Sequence, residues 1–289
     1  MKNLIFFNYY NNGDIHVSRE FIKDILNKTN FNNPTYFHKN SFKILQDINI
    51  NYNNILTTNF DNNKLFYDDS NNIYINTWFH HNFGHKFYKC TLESLYYNFT
   101  EIYKFLNIKL EDISFYIPKI DFSKFNVLHV DCFFDNNDYD NYVFISNGNT
   151  LSSQSNNMNL NYNVYDLSKR YKKSLFILTE KMSGYEFLKS ECDNVILSKD
   201  IIKSTEFDLN ENSYLSTKCD IIIGRNSGPY IFSMVVENVL TNKKQDIIDI
   251  SRFPDLSSFL NESYYNKNKK LHKLHSMYMI EAVDKILKS

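Results

Sequence analysis

Short, nearly continuous apolar runs punctuate this chain at residues 3–9, 34–38, 73–78, 142–145, 174–178, 194–197, 221–223 and 246–250. Runs of that length without strict alternation read as strands buried on both faces of a parallel sheet. Between them the apolar positions change to a helical period. Ile15, Phe21, Ile22, Ile25 and Leu26 share one helical face, with Asp14 or Ser18 as candidate caps. Helices are also predicted over 91–106, 161–173, from Asp208 to about 218, from Ser227 onward and over 276–288. Residues 40–72 and 118–130 are weakly patterned. The polar, acidic stretch 133–141 reads as a linker between two series of strands and helices.

The glycines sharpen this division. There are six in 289 residues, and four of them, Gly13, Gly148, Gly224 and Gly228, follow apolar strand-like runs. A chain so poor in glycine is expected to place it where the backbone turns or a ligand comes close. In open α/β sheets ligands bind outside the carboxyl ends of the strands. The expected fold class is therefore α/β, with two Rossmann-like domains facing across a cleft. The first spans 1–138, the second 139–256, and a helical tail over 257–289 packs back on the first.

Composition narrows the partners. The net charge is −1, so no broad basic field argues for nucleic acid. The cysteines Cys90, Cys132, Cys192 and Cys219 are scattered and form no Cys-x-x-Cys pair, which reads as reduced thiols. The amino-terminal apolar run is too short for a signal peptide, and no segment reaches the ~18–20 apolar residues of a membrane span. A cytoplasmic protein is expected. The lysines of 267–273 read as a solvated helix entry, with peripheral membrane contact as the second reading. Oligomeric state leaves no mark in the pattern.

The most informative stretch is Cys219-Asp-Ile-Ile-Ile-Gly-Arg-Asn-Ser-Gly-Pro, a strand, a turn and a helix start with Ser227 as cap and Pro229 in the first turn. A free helix amino terminus after a Gly-rich turn is an anion site. With Gly13-Asp14 after the first strand, and Asp208-Leu209 and Leu215 ahead of the late strand, this order of motifs resembles the GT-B glycosyltransferases, in particular the heptosyltransferase-like group (glycosyltransferase family 9). The chain departs from that group where Asn226 replaces an acidic residue and Ile231 a histidine. Its turn at 147–154 also lacks a basic residue.

The resemblance implies transfer of a sugar from a nucleotide-diphosphate sugar to a glycan or glycoconjugate, inverting and metal-independent, with no cofactor beyond the donor. It implies Asp14 as catalytic base, with His16 as the weaker alternative, and an acceptor side at Gly13, Trp78 and His80. The donor side would comprise Asn147, Gly148, Thr150, Ser152, Ser153, Gln154, Thr179, Lys181, Gly224, Arg225, Asn226, Ser227, Gly228 and Pro229. The alternative reading is a non-catalytic scaffold or interaction protein of the same shape, supported by the departures at Asn226 and in the 147–154 turn. Two metal-like spellings, the histidines of 80–85 and Asp138-Tyr-Asp140, match no common ligand spacing or lie in cheap Asn/Asp sequence.

Overall fold

The apolar runs form two separate sheets. The computed structural model describes residues 2–78, 90–149, 159–203, 207–225, 228–250, 259 and 261–289. The chain divides into two units, Met1–Ile120 and Asp121–Ser289.

In the first unit the elements run β1 (Asn3–Phe7), α1 (Asn12–Lys28), β2 (Asn32–Phe37), α2 (Ser41–Ile44), β3 (Asn51–Asn53), β4 (Phe66–Asp68), β5 (Asn72–Asn76) and α3 (Thr91–Leu106). The sheet order is β3-β2-β1-β5-β4. β1 pairs parallel with both β2 and β5, and only the edge strand β4 runs antiparallel to its neighbour. β3 and β4 arise from the weakly patterned 40–72 region. They are three-residue edge strands, too short to show a period. α1 buries Ile15, Val17, Phe21, Ile22 and Ile25. The Phe21 ring stacks on Phe99 of α3 and on Tyr116, with centroids 4.3 and 4.0 Å apart.

The second unit contains α4 (Leu128–Asp135), β6 (Asn141–Ile145), α5 (Asn161–Arg170), β7 (Ser174–Leu178), α6 (Tyr185–Glu191), β8 (Val195–Leu197), α7 (Ser198–Ile202), α8 (Leu209–Lys218) and β9 (Ile221–Gly224). It continues with α9 (Gly228–Phe232), α10 (Val236–Val239), β10 (Gln245–Ile250), β11 (Lys269–Leu274) and α11 (Met279–Leu287). Its sheet is parallel throughout, in the order β11-β10-β9-β6-β7-β8. Numbered within the unit, that is the doubly wound dinucleotide-fold order 3-2-1-4-5-6 read from the other edge. The order reverses between β6 and β9. β7 is buried along its whole length, which is why its sequence is apolar without alternation.

Three expectations are corrected. The units divide after Ile120, not near 138. The 133–141 stretch is partly the helix α4, which packs on α7 and α8. Asp131 of α4 accepts a hydrogen bond from the Tyr214 hydroxyl (2.7 Å) and pairs with Lys218 (2.8 Å). The tail clusters with the second unit. α11 packs on α5 and β10, and its Asp284 accepts from Tyr171 (2.8 Å) and pairs with Arg170 (3.1 Å). The lysine run at 267–273 is largely the edge strand β11, not a helix entry. Lys269 is buried and donates to Gln245 Oε1 at 3.2 Å, and His272 meets Asp246 at 2.8 Å. Charges on an edge strand discourage pairing with other chains. Such a strand therefore reads as solvated coil in sequence.

All four cysteines are free. Among the described residues no helix is long and apolar enough to cross a membrane.

Candidate functional site

In the second unit the carboxyl ends of β6, β7, β8 and β9 surround a cavity of about 360 Å³. It lies at the point where the strand order reverses, the place where doubly wound sheets take ligands. Ser146, Gly148 and Asn149 follow β6. Thr179, Glu180 and Lys181 follow β7. Leu197 and Lys199 come from β8 and α7. Gly228 and Pro229 open α9, and Asp208, Leu209 and Asn212 come from the start of α8.

Local chemistry explains the walls. The Asn147 side chain is buried and clasps the next loop. Its amide donates to the Glu180 carbonyl (2.8 Å), and its oxygen accepts from the Glu180 N–H (2.9 Å) and the Thr179 hydroxyl (3.4 Å). Asn147 thus braces the two loops without lining the cavity. The Ser146 hydroxyl accepts from the Tyr230 N–H at 3.2 Å, tying the end of β6 to α9. Asp208 occupies the position before α8, as the capping pattern predicts, but its side chain makes no capping hydrogen bond. Burial raises its pKa, and the nearby Glu180 adds to the rise. Lys181 pairs with Glu186.

Of the predicted donor-side residues, Gly148, Thr179, Lys181, Gly228 and Pro229 line the cavity together. Arg225 does not line it. The guanidinium is buried and donates to the Gly148 carbonyl, holding the β6 loop from behind. Thr150, Ser152, Ser153, Gln154, Asn226 and Ser227 lie outside the described residues, as does His80. The helix predicted from Ser227 is broken into two single turns, α9 and α10, so little macrodipole gathers at its start. Gly228 does have a positive φ of 51°, in the left-handed region that favours glycine.

Gly224 has another role than ligand approach. A Cβ there would lie 2.6–2.8 Å from three side-chain atoms of Tyr230, whose ring fills the space above the strand end. Tyr230 is 1% exposed and cannot swing aside. Gly224→Ala should therefore cost about 1–3 kcal/mol, the usual price of overpacking. Gly148→Ala places its Cβ at an ordinary 3.6 Å from Glu180 and should be nearly neutral. Urea midpoints of the two variants check the contrast; equal midpoints would show that the Tyr230 ring moves.

Several lining residues escaped the sequence. Ser146, Leu197, Lys199 and Asn212 carry no motif. Only their places at strand ends and at the start of α8 could have singled them out.

The carboxyl edge of the first sheet holds a second group. Asn11 precedes α1 and Asp14 is on its first turn. Gly13 is therefore inside the helix, and Asp14 does not sit in the cap position expected of it. Its carboxylate instead accepts from Asn11, backbone and side chain. This reach back from the first turn closes a capping-box-like ring. The other oxygen, Oδ2, is buried without a hydrogen-bond partner. Burial pushes the Asp14 pKa up to about 7. His16 is fully buried on the next part of the turn. Burial first, and then the Arg19 and Lys23 cations, hold its imidazole neutral. Asn8 follows β1, His38 follows β2, Asn76 ends β5, and Thr77 and Trp78 follow it. Tyr36 is buried beside Asp14, its hydroxyl bonded to Thr77. Among the described residues no group of three or more metal-ligating side chains gathers.

The sequence matches no protein-family model and no curated protein. Solved structures do share the architecture. The E. coli heptosyltransferase WaaC with ADP is 9% identical, with a TM-score of 0.54 over 99% of both chains. The same enzyme with ADP-2-deoxy-2-fluoro heptose gives 8% and 0.53, again over 99% of both. The E. coli ADP-heptose lps heptosyltransferase II gives 10% and 0.51 over 100% of this chain and 99% of that one. At such identities the likeness is one of fold: this chain has the α/β fold, built on two sheets, of the heptosyltransferases.

Proposed function

We propose that the protein is a nucleotide-sugar-dependent glycosyltransferase. The donor binds the second unit and a glycan or glycoconjugate acceptor binds the first. The observation that carries this reading is the cavity at the carboxyl edge of the second sheet, where the strand order reverses. Glu180, past the second strand of that sheet, stands where dinucleotide folds place the acid that accepts from ribose hydroxyls. Lys181, Lys199 and the Gly228 N–H supply donors for the diphosphate. Leu197 and Leu209 give the base apolar walls.

In the reaction Asp14 takes the proton of the acceptor hydroxyl as its oxygen attacks the anomeric carbon. The bond from that carbon to the diphosphate breaks, and the diphosphate leaves with the electron pair. Attack from the face opposite the leaving group inverts the anomeric centre. A base with a pKa near 7 is matched to this task at neutral pH. Lysines and amides, rather than a divalent ion, stabilise the departing charge, so activity should survive chelator. Nucleotide-sugar supply places the reaction in the cytoplasm.

The test is thermal stabilisation by nucleoside diphosphates. A ligand at about 100 times its Kd adds about 2.7 kcal/mol, a rise of several degrees in Tm. Glu180→Ala should abolish the rise. No rise with ADP, UDP, GDP or CDP would defeat the proposal. The inward turn of Arg225 favours a second reading, a scaffold that has lost transfer. Nucleotide binding without turnover on any acceptor would establish that reading instead.

A further inference from the structure

We infer that Tyr10 and Trp78 form an aromatic platform that receives the face of a pyranose ring, the acceptor subsite of the first unit. The two rings are stacked, with centroids 3.8 Å apart and planes at 23°. Tyr10 still exposes 44% of its surface, so the stack presents an open ring face at the carboxyl edge of the sheet.

The pair is held in place by a relay of asparagines. The Trp78 backbone N–H donates to Asn76 Oδ1 (3.0 Å), and the Asn76 side-chain amide donates to Asn62 Oδ1 (3.1 Å). The Asn62 amide donates to the Tyr10 hydroxyl (2.8 Å), and the Tyr10 N–H donates to Asn8 Oδ1 (2.7 Å). The relay thus holds the Tyr10 ring at its hydroxyl and Trp78 at its backbone before any ligand arrives, which lowers the ordering cost of binding. Stacking alone needs no such bracing.

The surroundings complete the chemistry of a sugar. A pyranose shows C–H bonds on its face and hydroxyls around its rim. The C–H hydrogens suit the negative face of an aromatic ring. The rim requires hydrogen-bonding groups with unused capacity. Asn8 Nδ2 and Asp14 Oδ2 are buried at this same edge with no partner. Asn8 leads along the chain to Tyr10, and Asn11, the next residue, binds Asp14. His38 faces the Tyr10 carbonyl, and its Nδ1 accepts from the Asn40 N–H at 2.9 Å. A ring seated on Tyr10, against the rim of Trp78, lies at the sheet edge that also carries the acid proposed above as base. The inference rests on that reading for its role in transfer, but not for binding.

Trp78 is the one tryptophan of the chain, so intrinsic fluorescence reports on the platform directly. Methyl glucoside, methyl galactoside and methyl mannoside are titrated up to about 100 mM, where a millimolar site would be saturated. At least one should change the Trp78 emission saturably. Tyr10→Ala should weaken that response about tenfold or more, and Tyr10→Phe, which keeps the ring, should retain it. Silence with all three glycosides, in protein that nucleotides still stabilise, would overturn the platform and leave the donor site standing. A glycoside response without nucleotide stabilisation would support the platform and defeat the donor reading. A response to nucleotides alone, or one that survives in Tyr10→Ala, would also overturn the platform.

Discussion

Asp14→Asn should lower turnover at least ~100-fold and leave nucleotide binding unchanged, because the proposed general base is lost while the proposed donor cavity belongs to the other unit. The amide keeps the size of the side chain and an oxygen to accept from Asn11, so the start of α1 should survive. The pH dependence of the wild type adds a second readout. Transfer needs the carboxylate, so kcat/KM should rise with pH through about 7. Stability should move the other way. The folded protein holds this proton more tightly than the unfolded chain does. The stabilising contribution is therefore complete below the unfolded value of 3.8 and is lost as pH rises through about 7. Asp249 on β10 acts in the same direction, since burial pushes it to about 7 as well. A carboxyl moved across that window is worth on the order of 4 kcal/mol. Asp14→Asn should remove the kinetic rise and flatten part of the stability slope. Wild-type turnover in the variant would reduce Asp14 to a helix-start residue.

Arg19→Ala should destabilise the first unit by about 3–5 kcal/mol. Arg19 is fully buried on α1. Its guanidinium pairs with Asp47 and donates to the Ile44 carbonyl at 2.6 Å. The Asp47 side chain is also shut away from water, with Lys23 at 3.6 Å. Removing the arginine leaves a buried carboxylate short of its main cation, which costs more than the pair itself contributes. Arg19→Met with Asp47→Leu should lose much less, because neither charge remains. Urea unfolding of the two variants separates the cases; equal losses would show that packing rather than charge is at stake. Since α1 carries Asp14, the single variant should also lower transfer.

Much of this was legible because strand burial writes itself into sequence. β7 and β9 are buried along their whole length, and their apolar runs give them away. α3 shows its period and stops at Asn107, a left-handed cap. The motif order around Gly13-Asp14 and Gly228-Pro229 pointed to the fold that solved structures share. β3, β4 and β11 were not legible. The first two are too short for a period, and the third is an edge strand written in lysines.

The sites divide along the same line. Local sequence determined the turn at Gly228 and the carboxylate near the start of α1, because backbone conformation and capping depend on near neighbours. Tertiary structure decided the rest. It turned Arg225 inward onto Gly148, filled the space over Gly224 with Tyr230, and made Asn147 a clasp. It also brought Tyr10 to Trp78 through Asn62 and Asn76. Those outcomes depend on which strands become neighbours, and the pairing of distant strands is fixed by the packing of whole layers rather than by any local pattern.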